Sequence, residues 1–70
     1  MRREQIINRD EDILGGTPVF SGTRVPIQNL FDCLRRGYSL EEFLDDFPSV
    51  TREQAVGLLD LVREEFATPV

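Results

Sequence analysis

The chain has no histidine, no lysine and no tryptophan, and it has one cysteine. Each absence removes a kind of chemistry. Without histidine there is no imidazole to serve as general base, as metal ligand or as a switch near neutral pH. Cys33 alone closes no disulfide within the chain and builds no thiolate zinc site. Without lysine, all 8 basic residues are arginines, whose planar fork suits carboxylate and phosphate partners. No apolar run approaches the roughly 18 residues of a membrane span. Met1-Arg2-Arg3-Glu4-Gln5 is basic, but no apolar stretch follows it. Neither a signal peptide nor a membrane anchor is therefore expected, and the expected compartment is the cytoplasm.

What is present is short and acidic. Seventy residues specify a single domain, expected to span 1–70. A chain this small buries only about 60% of the surface its unfolded state exposes, so its core is marginal. The net charge of −5 is unevenly spread. Residues 1–38 carry six arginines against five acids, whereas residues 39–70 carry two arginines against eight acids. The acidic second half is a poor electrostatic match to nucleic acid.

Residues 6–25 read as short strands and turns. Ile6-Ile7 is a strand candidate, and Gly15-Gly16 is a turn. Thr17-Pro18-Val19-Phe20 and Thr23-Arg24-Val25 are β-prone pieces on either side of Ser21-Gly22, which predicts a tight hairpin. Pro18 cannot donate to a ladder and marks an edge, where the Thr17–Phe20 strand is free to pair between subunits.

Residues 26–66 read as helical. Pro26 suits a first helical turn, and Ile27, Leu30, Phe31 and Leu34 share one apolar face. Gly37 ends that helix. Ser39-x-x-Glu42 is a capping box; Leu40, Phe43, Leu44 and Phe47 follow, and Pro48 stops the helix. Thr51-x-x-Gln54 is a second capping box, with Val50 and Ala55 spaced as a hydrophobic staple. The last helix runs to about Phe66 and places Ala55, Leu58, Leu59, Val62 and Phe66 on one stripe. Met1 to Gln5 and Ala67 to Val70 are expected to be loose. The expected fold is mainly α: a short N-terminal β-hairpin followed by a three-helix bundle. Its last two helices, about 39–66, have helix-turn-helix proportions.

In a helix-turn-helix the second helix enters the major groove and its first residues touch bases, which nominates Thr51, Arg52 and Gln54. Arg35 and Arg36 either complement a helix C-terminus or contact phosphate. Any compact three-helix domain holds such a helix pair, so the proportions alone favour plain packing. The side of the last helix opposite its apolar stripe carries Glu53, Gly57, Asp60 and Glu64, an outward face that repels phosphate. Arg52, Arg63 and Val56 lie on a flank. A shallow contact through Arg52, or one through the arginine-bearing first half, survives that objection.

Val56 and Leu61 flank the buried stripe. Exposed aliphatics beside a marginal core point to a homodimer or partner interface. Glu41, Glu42, Asp45 and Asp46 form an acidic helical cluster without calcium-loop spacing, read first as a solvated face and second as a docking surface for a basic partner. Cys33 lies beside the apolar face and reads as filler, with no base to activate it. No catalytic, cofactor-binding or metal-binding residues emerge, so the chain reads as a non-enzyme that binds another macromolecule.

The stretch Gly15–Pro26, GGTPVFSGTRVP, resembles the signature of a bacterial and archaeal family known as domain of unknown function 433. The resemblance continues through the following helix, through Gly37–Pro48 and through Thr51-Arg52-Glu53-Gln54. It covers about four-fifths of the chain. Glu11 departs from it, since such sequences often have proline after Arg-Asp. The resemblance implies a winged or homeodomain-like helix-turn-helix. It also implies the antitoxin role in a type II toxin–antitoxin pair, with a PIN-like ribonuclease as the neutralised partner. As a dimer, such a protein would also repress its own promoter by binding operator DNA. Arg24 is then the first candidate to meet the carboxylates that hold the nuclease's metals. The plainer reading pairs Arg24 with Asp10, Glu11 or Asp12 and leaves it to hold the hairpin. Arg24, Val56, Leu61 and Arg63 are the residues expected at a partner or dimer interface. Two other functions stay open: a stand-alone DNA-binding regulator, and a structural or adaptor domain without a nucleic-acid role.

Overall fold

A computed structural model describes residues 1–67 of the chain. In order, the elements are α1 (Arg3–Ile6), β1 (Ile7–Asn8), a 3-10 turn (Leu14–Gly16), β2 (Val19–Phe20), α2 (Gln28–Arg35), α3 (Leu40–Asp46) and α4 (Arg52–Phe66). The described residues are mainly helical, with one two-stranded antiparallel sheet near the N-terminus.

The helix ends lie where the capping chemistry puts them. Gly37 has φ 88°, a left-handed conformation in which a side chain would be strained. In that conformation its N–H reaches Leu34 O at 3.0 Å, and Tyr38 N–H reaches Cys33 O at 3.1 Å, closing the end of α2. At α3, Ser39 Oγ accepts from Glu42 N–H at 3.1 Å. At α4, Thr51 Oγ1 accepts from Gln54 N–H at 3.1 Å, and Gln54 Oε1 accepts from Thr51 N–H at 3.2 Å. Both capping boxes are complete. Phe47, the residue before Pro48, leaves helical geometry and ends α3.

The core gathers Ile6 of α1, Phe20 of β2, Leu30 of α2, Phe43 of α3, Val50 before α4, and Ala55 and Leu58 of α4. Phe43 stands between two other rings, 6.0 Å from Phe20 and 5.0 Å from Phe47. Val50 and Ala55 are both buried, as a staple at the start of α4 requires.

Four expectations are corrected. Val19–Phe20 does not form its sheet with Thr23–Val25. Its strand partner is β1, with Ile7 opposite Phe20 and Asn8 opposite Val19. The chain after Gly22 does fold back, but it bonds β2 only through Phe20 N–H donating to Val25 O at 2.9 Å and Ile27 N–H donating to Pro18 O at 3.1 Å, on either side of a single bridge between Val19 and Pro26. Pro26 lacks an N–H and α2 starts just beyond it, so no ladder can grow there. β2 is thus bonded on both sides, and the edge pairing between subunits is withdrawn.

Second, the N-terminal residues are not loose. Arg3–Ile6 forms a helical turn that packs on α4, and Ile6 is buried. The proposed looseness of Ala67–Val70 lies, beyond Ala67, outside the described residues. Third, Gly57 does not face solvent. A Cβ there would come within 2.8 Å of Ile6 Cδ1, so the lack of a side chain lets α1 approach α4. Fourth, the apolar stripe of α4 is only partly covered. Leu58 is buried, Leu59 and Val62 are half-buried, and Phe66 is 79% exposed. With 15 residues, α4 is about 22 Å long and outruns the 8-residue α2 and 7-residue α3.

Candidate functional site

The start of α4 is where base-reading residues were expected. Gln54 is buried there at 7% exposure. Its Nε2 donates to Ser21 O at 2.9 Å and to Gln5 O at 3.2 Å, while its Oε1 serves the cap of its own helix. Every polar atom of the side chain is used internally, so Gln54 is removed from the candidate DNA readers. It ties α4 to the turn after β2 and to α1. Thr51 remains exposed, but its hydroxyl is already the N-cap acceptor.

Arg52 is exposed and forms a two-pronged ion pair with Glu41 of α3, each guanidinium Nη facing one carboxylate oxygen. The hydrogen bond from Arg52 holds the Glu41 carboxyl below its ordinary pKa of 4.5; desolvation opposes it, and the opposite charge of Arg52 adds to it. A carboxyl depressed on folding stabilises the fold above its unfolded pKa, and that stabilisation is lost as pH falls through the folded value. The pair is open to solvent, so the effect is small. Glu41→Gln is accordingly expected to lower the melting temperature slightly at neutral pH, with the difference from the parent vanishing as pH falls well below 4.5. Thermal melts across that range check it; a difference that persists undiminished in acid would rule out the ion pair as its source.

The Gly15–Pro26 stretch is almost wholly explained by folding. Gly15, Gly16 and Gly22 have φ of 63°, 91° and 78°. Val19 and Phe20 are fully buried. Ser21 Oγ donates to Glu4 O at 2.8 Å, and Ser21 N–H donates to Ile6 O at 2.9 Å. Thr23 Oγ1 donates to Phe20 O at 2.8 Å and accepts from Val25 N–H at 3.0 Å. Arg24 is the exception. It is exposed at the turn, and among the described residues it enters no ion pair and no side-chain hydrogen bond. The expected pairing with Asp10, Glu11 or Asp12 is not formed; Asp10 instead accepts from Asp12 N–H at 2.9 Å.

The other candidates are scattered. Arg35 sits 3.8 Å from Asp32, a loose pair on α2. Arg36 borders a shallow cavity of about 350 Å³ with Asn29, Cys33, Tyr38 and Asp46. Val56 is 40% exposed and lines a depression with Met1, Gly57 and Asp60. Arg63 lines another with Asp60 and Glu64. Leu61 is half-buried, packed against the core, and is not the fully exposed aliphatic that its flank position predicts. Val56 and Arg63 thus share one flank of α4, where both depressions include Asp60, whereas Leu61 packs against the core and Arg24 sits beside the turn after β2. Among the described residues, no group of acids and cysteine is arranged to hold a metal ion.

One surface was missed from the sequence. Ile7, Ile27, Phe31, Leu61, Val62 and Phe66 line a groove of about 280 Å³, with Arg3 and Glu65 at its rim. The available signal was a surplus: α2 and α4 carry more apolar residues on their stripes than so small a core can cover. Periodicity placed Phe31, Val62 and Phe66 on the right faces, but it does not tell how long the neighbouring helices are.

Fold and surface together define a small, mainly helical domain in which a short sheet and an N-terminal turn are fastened over the start of its longest helix. The chain belongs to the family described as "Protein of unknown function (DUF433)", whose sequence profile matches residues 7–60. It is 42% identical over 50 residues to "Uncharacterized protein y4eO" of Sinorhizobium fredii. That match covers 71% of this chain and 23% of the relative, so the chain spans about a quarter of the relative's length. No solved structure matches the chain. No helix among the described residues is long and apolar enough to cross a membrane.

Proposed function

We propose that the chain is a protein-binding module, the antitoxin of a type II toxin–antitoxin pair, and that Arg24 is its inhibitory contact. The observation that carries the reading is the state of Arg24. It is the one charged residue of GGTPVFSGTRVP, and it stands exposed and, among the described residues, unpaired, in a stretch whose other residues are fixed by glycine geometry, burial or hydrogen bonds. The turn's backbone is already ordered, and the planar guanidinium fork meets a carboxylate pair through two hydrogen bonds at once. The partner implied by the resemblance is a PIN-like ribonuclease, whose metal-holding carboxylates match that fork. An arginine placed among them competes with the metal by charge.

The α3–α4 pair is read within this proposal as a helix-turn-helix, and repression of the chain's own promoter as a secondary role. DNA contact at the start of α4 is disfavoured, because Gln54 is buried and Arg52 is held by Glu41. Operator phosphates would instead meet Arg35 and Arg36 at the exposed end of α2.

Co-expression with the protein encoded beside it tests the reading. The parent chain is expected to co-purify with that protein. Arg24→Glu is expected to weaken the complex by roughly 2–5 kcal/mol, on the order of 30-fold or more. Because Arg24 is exposed, its loss is expected to change the fold's own stability by no more than about 0.5 kcal/mol. Unchanged binding by Arg24→Glu would remove Arg24 from the interface.

A further inference from the structure

We propose that the groove along the C-terminal half of α4 is filled by the same face of a second copy, joining two chains about a twofold axis. The face carries both halves of a fit. Phe66, on the last residue of α4, stands 79% exposed, and beside it Ile27, Phe31 and Leu61 line the apolar hollow. A protruding ring and a hollow on one face are what an isologous contact needs, since each patch must complement itself. The charges agree. Arg3 and Glu65 border the groove, both exposed, and among the described residues neither enters an ion pair. Their charges are opposite, so a second copy of this face can offer each the partner it lacks. The rim is thus charge-balanced within a chain of net charge −5, whose uncompensated acids lie elsewhere, on α3 and on the Glu53–Asp60 side of α4. A basic partner would be drawn to those acids and not to this rim. A dimer joined through this groove also buries apolar surface that the chain's own small core leaves open.

Sedimentation equilibrium of the full chain, without any partner, is the test. The expected mass is twice the chain's 8.0 kDa. Phe66→Ser is expected to return it to 8.0 kDa without loss of helical content, because Phe66 is an exposed side chain. Arg3→Glu and Glu65→Arg are each expected to weaken the dimer, and the two together to restore it, which a merely misfolded chain would not do. A mass of 8.0 kDa up to about 1 mM overturns the proposal, as does a dimer untouched by Phe66→Ser. A parent chain that is monomeric alone but loses its neighbour-encoded partner on Phe66→Ser would give the groove to that partner and equally overturn it. The measurement does not involve Arg24, so its failure and that of the antitoxin reading are told apart.

Discussion

Phe43→Ala is expected to lower the chain's stability by about 3–5 kcal/mol, among the largest losses from any single side chain in its core. Phe43 has no exposed surface, and its ring lies between Phe20 at 6.0 Å and Phe47 at 5.0 Å. It joins α3 to β2, and no other residue of α3 is fully buried. Removing a buried phenylalanine costs about 3–5 kcal/mol, the sum of lost transfer energy and the cavity left behind. Stability of roughly 0.05–0.15 kcal/mol per residue gives a chain of this length about 4–10 kcal/mol in all. The substitution therefore removes roughly half of it at mid-range values. Urea titration followed by circular dichroism checks this; a loss below about 1 kcal/mol would mean that α3 is not anchored through this ring.

The second large effect is expected at Gln54, and it separates a reader of DNA from a fastening. Gln54→Ala strips one donor from Ser21 O and Gln5 O and one acceptor from the α4 cap. Three hydrogen bonds are lost, each worth about 0.5–1.5 kcal/mol net, so a loss of about 2–4 kcal/mol is expected. The damage concentrates at the N-terminus, because the bond to Gln5 O helps hold α1 on α4. Limited proteolysis is expected to cut near residues 1–8 first. A base-reading glutamine would behave oppositely, with stability unchanged and only DNA affinity altered. Melting curves and DNA binding measured on the same variant decide between the two.

The helices were legible because their end signals are local. Ser39, Thr51, Gly37 and Pro48 act within a turn of their own positions, and each does in the structure what its chemistry predicts. The sheet was legible only by half. The strand-forming character of Val19 and Phe20 is local, but the choice of Ile7–Asn8 as partner depends on how α1 lies across α4. That in turn depends on Gly57 having no side chain to meet Ile6. A lone glycine within a helical pattern gives no sign of what approaches it.

The candidate site was less legible for the same reason. Gln54 satisfies the capping-box pattern and the helix-turn-helix pattern equally well. What distinguishes them is a pair of carbonyls 33 and 49 residues away in sequence. Arg24 was visible as a candidate, but its lack of a partner was not, since three acids at Asp10–Asp12 were all plausible mates. Phe66 kept the helical period and was counted as core, although only the lengths of α2 and α3 decide whether anything covers it.

The most direct test of the central claim is a titration of the ribonuclease activity of the neighbour-encoded protein with this chain. Activity is expected to fall to nothing as the chain is added, and Arg24→Glu to need roughly 30-fold more protein for the same effect. An active nuclease indifferent to excess chain, together with DNA binding that weakens steeply with salt, would contradict it and return the function to DNA.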